Sequence, residues 1–126
     1  MNYLIVFLGA GIGGTLRQLI NVAAAQLGGS APIGTLAINV AGSFAMGAIT
    51  EYFALHDGRL PQAWRLFLTT GILGGFTTFS AFSLEAVLLY EQGDPLAAAA
   101  YVAGSVVFSI GALFAALALV RTLMRK

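Results

Sequence analysis

The sequence predicts an all-α membrane protein with four transmembrane helices, the third of which is broken at membrane depth. The prediction depends on composition, on the number of long apolar stretches, and on a glycine- and hydroxyl-rich sequence inside the third stretch. Hydrophobic residues make up 59% of the 126 positions and charged residues 9%, whereas a soluble domain has about 25% charged residues. The mean hydropathy is +0.90. The chain is therefore expected to reside in lipid.

Four apolar stretches are long enough to cross a bilayer, for which about 20 residues are needed. They cover residues 3–26, 33–55, 62–90 and 95–120. Short turn-forming sequences separate them, namely LGGSAP, HDGRLP and EQGDP, each of which combines Gly and Pro with polar residues. We expect a single four-helix transmembrane domain over residues 1–126.

Charged residues are few and unevenly distributed. Six Lys and Arg against five Asp and Glu give a formal net charge of +1, which provides no basic surface for nucleic acid. Cysteine is absent, which excludes disulfides and cysteine-based metal sites. Four helices place both termini and the HDGRLP loop on one side of the membrane. We expect this side to be cytoplasmic, because it carries five of the six cations: Arg59, Arg65, Arg121, Arg125 and Lys126.

Polar side chains at membrane depth are the first candidates for function. Asn39 lies in the middle of the second span, where an unpaired amide is costly, so it should have either an interhelical partner or a passing ion. Arg17 lies inside or near the end of the first span and either snorkels to the interface or puts a positive charge at a pore mouth. Tyr101, Ser105 and Ser109 recur every four residues, which places them on one helical stripe as packing contacts or as a polar track.

The least usual sequence is GGFTTFSAFS, which runs from Gly74 to Ser83. Two glycines and two threonines weaken a helix, because Gly loses much conformational entropy and Thr hydroxyls compete for backbone groups. We expect a helix break that lines a cavity here. Phe79 and Phe82 lie three residues apart, with Ser80 between them. The positive edges of phenyl rings attract an anion weakly enough for it to leave, as conduction requires.

Together these motifs resemble the Fluc (CrcB) family of fluoride channels, over essentially the whole chain. The resemblance is carried by GxGxxxR ending at Arg17, GTLAIN ending at Asn39, GGFTTFSAFS followed by Glu85, and the hydroxyls of the last span. It implies a channel in the bacterial inner membrane that releases cytoplasmic fluoride passively and confers fluoride resistance. It also implies an antiparallel, dual-topology homodimer with two pores.

The resemblance further implies roles for individual residues. Arg17 would lie in a vestibule, and the backbone carbonyls of Gly74 and Thr77 would hold a structural Na⁺ at the dimer centre. Within the fluoride pathway, the asparagine would donate a hydrogen bond to the ion, the phenyl rings would line its path, and the last-span hydroxyls would form a polar track. The implied pathway residues are Asn39, Phe79, Phe82, Ser80, Ser83, Tyr101, Ser105 and Ser109.

The sequence departs from the family pattern in two ways. The usual TFSTFS is TFSAFS here, so Ala81 lacks the hydroxyl of the middle threonine. The concentration of five cations on one side favours a single orientation, whereas a dual-topology chain inserts both ways. Some family members pair with an oppositely oriented related chain, so the partner is either an identical chain or such a relative.

Two other classes of protein compete with a channel. A small proton-coupled multidrug exporter, similar to the small multidrug resistance proteins, needs a carboxylate at membrane depth in its first span, and residues 3–26 contain none. A noncatalytic assembly subunit explains the many small residues but not Asn39 or the phenylalanine pair. The sequence contains neither a phosphate-cradling motif nor a nucleophile with its base, so we do not expect an enzyme.

Overall fold

The computed structural model describes residues 1–56 and 59–125, which fold into helices joined by short turns. Four helical regions are long and apolar enough to cross a membrane: Asn2–Gln26, Ala31–Leu55, Gln62–Glu91 and Pro95–Met124. An all-α protein with four membrane-spanning helices is therefore confirmed. Residues 57 and 58 of the HDGRLP turn lie outside the described residues, as does Lys126, one of the five cations counted on the expected cytoplasmic side.

The helices are named in chain order. The first two spans are α1 (Asn2–Gln26) and α2 (Ala31–Leu55), and the last is α6 (Pro95–Met124). The third span is composite and consists of α3 (Gln62–Leu66), a π-helical segment (Phe67–Leu73), α4 (Gly74–Phe76) and α5 (Phe79–Glu91). The sequence pattern did not indicate the π-helical segment, in which each turn holds more residues than in an α-helix.

Local sequence determines where two of the helices end and where the last one begins. Gly28 after α1 and Gly93 after α5 have φ values of 79° and 87°, a left-handed conformation that glycine adopts without steric cost. Asp94 then caps α6, because its side chain accepts a hydrogen bond from the Ala97 amide at 2.9 Å. Pro95 follows in the first turn of α6, where its missing N–H does no harm.

Glycines allow α1 to approach the first half of the third span very closely. A Cβ on Gly9 would lie 2.8 Å from the Cα of Gly71, and a Cβ on Gly13 would overlap the backbone carbonyl of Ile72. Backbone contact of this kind drives helix association in lipid, where burial of apolar surface gives little advantage. The small residues of the first and third spans therefore form a packing seam.

The helices α2 and α6 pair in a similar way and are also joined by an ion pair. A Cβ on Gly47 would lie 2.6 Å from the Leu113 carbonyl oxygen. Eight residues beyond Leu113, Arg121 donates two hydrogen bonds to the Glu51 carboxylate, at 2.8 and 3.0 Å. The charges of Arg121 and Glu51 thus neutralise each other, and their ion pair links α2 to α6.

The third span is broken in the expected stretch, but the break lies at the threonines rather than at the glycines. Thr77 and Thr78 have extended backbones, with φ and ψ of −78° and 158° and of −151° and 121°. Gly74 is helical, with φ −63° and ψ −37°, and a Cβ on Gly75 would overlap the Ala10 carbonyl of α1. The second glycine therefore serves packing, whereas the hydroxyl-bearing residues interrupt the helix.

The seam of α1 gives a prediction with a matched control. Gly13→Ala should destabilise the protein by about 1–3 kcal/mol, because the new methyl group meets backbone that cannot rotate away. Gly11→Ala, in the same helix, should be neutral or slightly stabilising, since a Cβ there meets no atom within 4 Å. The fluorescence of the single tryptophan, Trp64, during heating in detergent measures both. Equal Tm values for the two variants would contradict the seam.

Candidate functional site

The polar groups released by the helix break are paired by Asn39 of α2. The Asn39 amide nitrogen donates to the Thr78 carbonyl at 3.0 Å, and the Thr78 N–H donates to the Asn39 side-chain oxygen at 2.9 Å. The partner expected for this asparagine is therefore the broken backbone itself. Since a side-chain amide carries two N–H donors, one N–H of Asn39 is still available for another acceptor.

The break also deprives two carbonyls of their usual donors. In a continuous helix the Thr78 N–H would bind the Gly74 carbonyl and the Ala81 N–H would bind the Thr77 carbonyl. Instead, the first donates to Asn39 and the second donates to the Thr78 hydroxyl at 3.2 Å, which caps α5. The carbonyls implied as Na⁺ ligands are thus among those that lose their helical donors at the break, and carbonyl oxygen is a hard ligand suited to Na⁺.

Arg17 contacts the break from α1. Its guanidinium donates to the Thr77 carbonyl at 3.2 Å, and the side chain is half-buried. The positive charge is therefore held at the interrupted backbone rather than extended to the end of its helix. One of the two lone pairs of that carbonyl is used by Arg17, which leaves the other for a further ligand.

A cleft of about 340 Å³ runs beside the break, between α2, α5 and α6. We call it the central cleft. Five candidate site residues from the sequence line it, and they come from all three helices. Thr78 of the break and one further serine, on α2, line it as well. These lining residues are Asn39, Ser43, Thr78, Phe79, Phe82, Ser105 and Ser109.

The aromatic residues of the cleft form a connected row. The ring centroids of Phe79 and Phe82 are 5.3 Å apart with planes at 56°, and those of Phe82 and Tyr101 are 5.4 Å apart at 49°. Phe82 is only 8% exposed, whereas Phe79 is 79% exposed. Phe82 is thus packed within the chain, while the ring of Phe79 lies on its surface and is accessible to a neighbouring molecule.

The cleft contains a buried hydroxyl without a partner. Ser105 is 6% exposed, and its Oγ has no hydrogen-bond partner among the described residues. Buried polar atoms are normally satisfied, so a group left unpaired calls for an explanation such as a ligand. Ser109 lies one turn further along α6 and lines the same cleft. The stripe on α6 therefore presents donors to this space.

Tyr101, the third member of that stripe, is engaged elsewhere. Its hydroxyl donates to Glu85 at 2.6 Å, and the Thr35 hydroxyl donates to the other carboxylate oxygen at 2.8 Å. The sequence interpretation did not identify Thr35. The available signal was its position four residues before Asn39 in GTLAIN, which places the two side chains on one face of α2.

The two serines of α5 lie beside the cleft rather than in its lining. The Ser83 hydroxyl donates to the Phe79 carbonyl at 2.9 Å, one turn back in its own helix. The exposed Ser80 hydroxyl lies 3.3 Å from the Thr78 hydroxyl at the break. Both hydroxyls are close to Phe79 but within this chain they make local bonds.

The fold and the central cleft define a small multi-pass membrane protein with a polar and aromatic crevice beside a broken helix. The chain belongs to the CrcB family. The family model described as CrcB-like protein, Camphor Resistance (CrcB), matches residues 4–117.

Curated relatives match along nearly the whole chain. A protein of Methylobacterium nodulans named fluoride-specific ion channel FluC is 63% identical over 121 residues, which cover 96% of this chain and 97% of that protein. A protein of the same name from Granulibacter bethesdensis is 64% identical over 126 residues, covering 99% and 98%. Fluoride-specific ion channel FluC 2 of Nitrobacter hamburgensis is 54% identical over 124 residues, covering 98% and 99%.

The pairing at the break predicts a loss of stability when Asn39 is removed. Asn39→Ala leaves the N–H and C=O of Thr78 unpaired, which should cost about 1–3 kcal/mol for each group that water cannot reach. Ser43→Ala is the control, because Ser43 lines the same cleft one turn further along α2. Thermal unfolding in detergent should show a lower Tm for the first variant only, and faster hydrogen exchange at the Thr78 amide. Matching Tm values would contradict the assigned pairing.

Proposed function

We propose that this chain forms a fluoride-selective channel through which cytoplasmic F⁻ leaves down its electrochemical gradient, and that it thereby confers fluoride resistance. The observation that carries the proposal is the Ser105 hydroxyl, which has no hydrogen-bond partner in the described part of the chain and is buried in a cleft that the rings of Phe79 and Phe82 also line. The identity of the ion comes from the names of relatives that match almost the full length of the chain.

The chemistry of the central cleft suits a small, strongly hydrated anion. Fluoride must exchange its water for other donors to enter a narrow pore, and it accepts hydrogen bonds more strongly than larger halides do. Available donors are the Ser105 hydroxyl and the second N–H of Asn39, while Ser109 lies one turn away. The rings of Phe79 and Phe82 add polarised C–H edges that attract an anion weakly, so that it can leave again.

Passive conduction is sufficient to remove fluoride from a cell. HF is a weak acid that crosses membranes uncharged and releases F⁻ inside the cell, where the ion is trapped. A channel in the inner membrane of a bacterium allows the ion to leave without ATP or a catalytic centre. In the expected orientation, with the termini in the cytoplasm, a chain places its cationic end on the side where fluoride accumulates, and this applies to one chain of an antiparallel pair.

The working unit is proposed to be an antiparallel dimer. A single chain leaves the central cleft open and Phe79 79% exposed, so a second chain is needed to enclose a path between them. The partner is a second copy inserted the other way or a related chain of opposite orientation. The charge bias favours the latter, whereas the resemblance to dual-topology members favours the former.

The Gly74 and Thr77 carbonyls would hold the Na⁺ of this dimer. Gly74 is exposed, and both carbonyls have lost their helical donors. When bound, the ion supplies positive charge that neutralises carbonyl dipoles converging from two chains. Arg17 donates to the Thr77 carbonyl, and that oxygen keeps a second lone pair, so it can still ligate a cation from the other side.

Ion efflux from proteoliposomes tests the function. Wild-type protein should release fluoride, detected with an ion-selective electrode, at least about 100-fold faster than chloride. Ser105→Ala and Phe82→Ile should each slow the release by about 10-fold or more, because removing a matched interaction of about 1.4 kcal/mol costs a factor of ten. Thr122→Ala removes a hydroxyl from the same helix as Ser105, one that bonds the Ala118 carbonyl and lies outside the cleft lining; it is the control and should stay within about twofold of wild type.

The outcomes of the efflux assay separate the candidate functions. Folded wild-type protein that passes no fluoride, yet uses a proton gradient to accumulate a lipophilic cation, would replace the channel by the exporter. Fluoride-selective release that is unaffected by Ser105→Ala would leave the channel standing but would remove the hydroxyl from its path.

Replacing Na⁺ tests the proposed cation site. Exchange of Na⁺ for choline at constant ionic strength should lower the Tm of the dimer, because a ligand that binds only the folded assembly stabilises it by RT ln(1 + [L]/Kd), about 2.7 kcal/mol at 100 Kd. Gly11→Ala protein should show the same Na⁺ dependence as wild type. A Tm that does not depend on Na⁺, measured on protein shown to be dimeric by cross-linking, would contradict the site.

A further inference from the structure

A second cleft, of about 580 Å³, opens between α2, the first half of the third span and α6. We call it the apolar cleft. The described residues that line it carry no charge, and none of them lines the central cleft. The lining residues that matter here are Ala48 and Tyr52 of α2, Trp64 and Leu68 of the third span, and Leu123 and Met124 of α6.

The apolar cleft begins at the edge of the bilayer. Tyr52 lies in the last turn of α2 and Trp64 in the first turn of α3, and both are exposed, at 42% and 57%. Tyr and Trp side chains prefer the membrane–water interface, where the ring lies in an apolar layer and its polar atom meets water. Ala48 lies one helical turn, about 6 Å, deeper than Tyr52. The cleft therefore extends from the interface into the hydrocarbon layer.

The cleft opens on the side of α2 that faces away from the proposed dimer contact. At about 100° per residue, Ala48 and Tyr52 lie roughly 180° and 220° around α2 from Asn39, which lines the central cleft. A second chain that covers the central cleft and Phe79 therefore leaves the apolar cleft facing lipid. Cavities with apolar walls stay dry, so the hydrocarbon of the bilayer is the material that fills this one.

Two arginines lie at the mouth of the apolar cleft. Arg59 directly precedes one lining residue and Arg125 directly follows another, and both are exposed. In the described part of the chain no salt bridge joins either of them to a carboxylate, and Glu51, at the same end, is already paired with Arg121. Excess positive charge beside an apolar cleft matches a molecule with an anionic head and an apolar tail.

We infer that the apolar cleft binds one acyl chain of an anionic phospholipid, whose phosphate is held by Arg59 and Arg125. Guanidinium groups bind phosphate oxygens through paired hydrogen bonds, and basic pockets between transmembrane helices bind anionic head groups. The acyl chain fills a gap between three elements, so the lipid joins the start of the third span to α2 and α6. The site goes beyond the proposed function, because it lies outside the ion path. In an antiparallel pair each leaflet would contain one such site.

The single tryptophan of the chain makes this site measurable, because Trp64 lines the cleft. Lipids that carry bromine on an acyl chain quench tryptophan fluorescence on contact. The full chain is reconstituted into vesicles of equal parts phosphatidylglycerol and phosphatidylcholine, in which either the first or the second lipid is brominated. The ratio of the two quenching levels gives the relative affinity of the site beside Trp64 for the anionic head group.

In wild-type protein, phosphatidylglycerol should bind beside Trp64 about fivefold more tightly than phosphatidylcholine, or better. Arg59→Gln combined with Arg125→Gln should bring the ratio close to unity. Arg65→Gln is the matched control and should keep the wild-type ratio, because it removes a cation from the same end but from the lining of a different cleft. Ala48→Leu should reduce quenching by both lipids, since the larger side chain fills the cleft.

Each ratio is measured within one variant, so a folding defect cannot create it. In wild-type protein the ratio should also fall in about 1 M salt, where the Debye length is about 3 Å. Equal quenching by the two lipids in wild-type protein, or an unchanged ratio in the double arginine variant, would rule out the head-group site. Quenching by neither lipid would show that protein, such as a second chain, covers the cleft. None of these results depends on fluoride conduction, so the proposed function is tested separately.

Discussion

The paired hydrogen bonds between Asn39 and Thr78 are the constraint on which the site depends. A helix cannot stop inside a bilayer without leaving backbone groups that hydrocarbon does not satisfy. One amide side chain supplies both an acceptor and a donor at the point where the chain becomes extended, so the break has a fixed location and geometry. The same bonds bring α2 against the start of α5 and thereby form one wall of the central cleft.

The close contacts of α1 hold the other side of the break in place. Gly13 and Gly75 each lie against backbone carbonyls across the seam between α1 and the third span, with no room for a Cβ. This contact brings Arg17 within reach of the Thr77 carbonyl. Packing and electrostatics are therefore coupled, because a looser seam would move the cation away from the carbonyl that the break exposes.

The sequence predicted those features that depend on composition and on local chemistry. Long apolar stretches determine the number of spans, and the glycine- and threonine-rich stretch indicates that the third is interrupted, although only its threonines are extended. Asn39, isolated among apolar residues, had to have a partner, but nothing local in the sequence identified Thr78, 39 residues away. The π-helical segment was missed because no residue type in it marks such a turn.

Glu85 raises the question of how a carboxylate can lie near an anion path. Thr35 and Tyr101 each donate a hydrogen bond to one of its oxygens, at 2.8 and 2.6 Å, and such bonds to a carboxylate are strong enough to hold it against the other helices. A hydroxyl has a single proton, so while Tyr101 donates to Glu85 it can offer fluoride only its ring, which stacks against Phe82.

Ser105 has no such commitment, since its hydroxyl is buried without a partner among the described residues. The hydroxyls of Tyr101 and Ser105, on successive turns of α6, thus differ in their hydrogen bonding. Tyr101 donates a hydrogen bond to the carboxylate of Glu85, whereas in the proposed pathway the Ser105 hydroxyl would donate to the mobile ion. An unpaired hydroxyl donor would favour the anion that accepts a hydrogen bond most strongly. Because the hydroxyl carries no full charge, it would also allow that anion to leave, so the same group could select fluoride and release it.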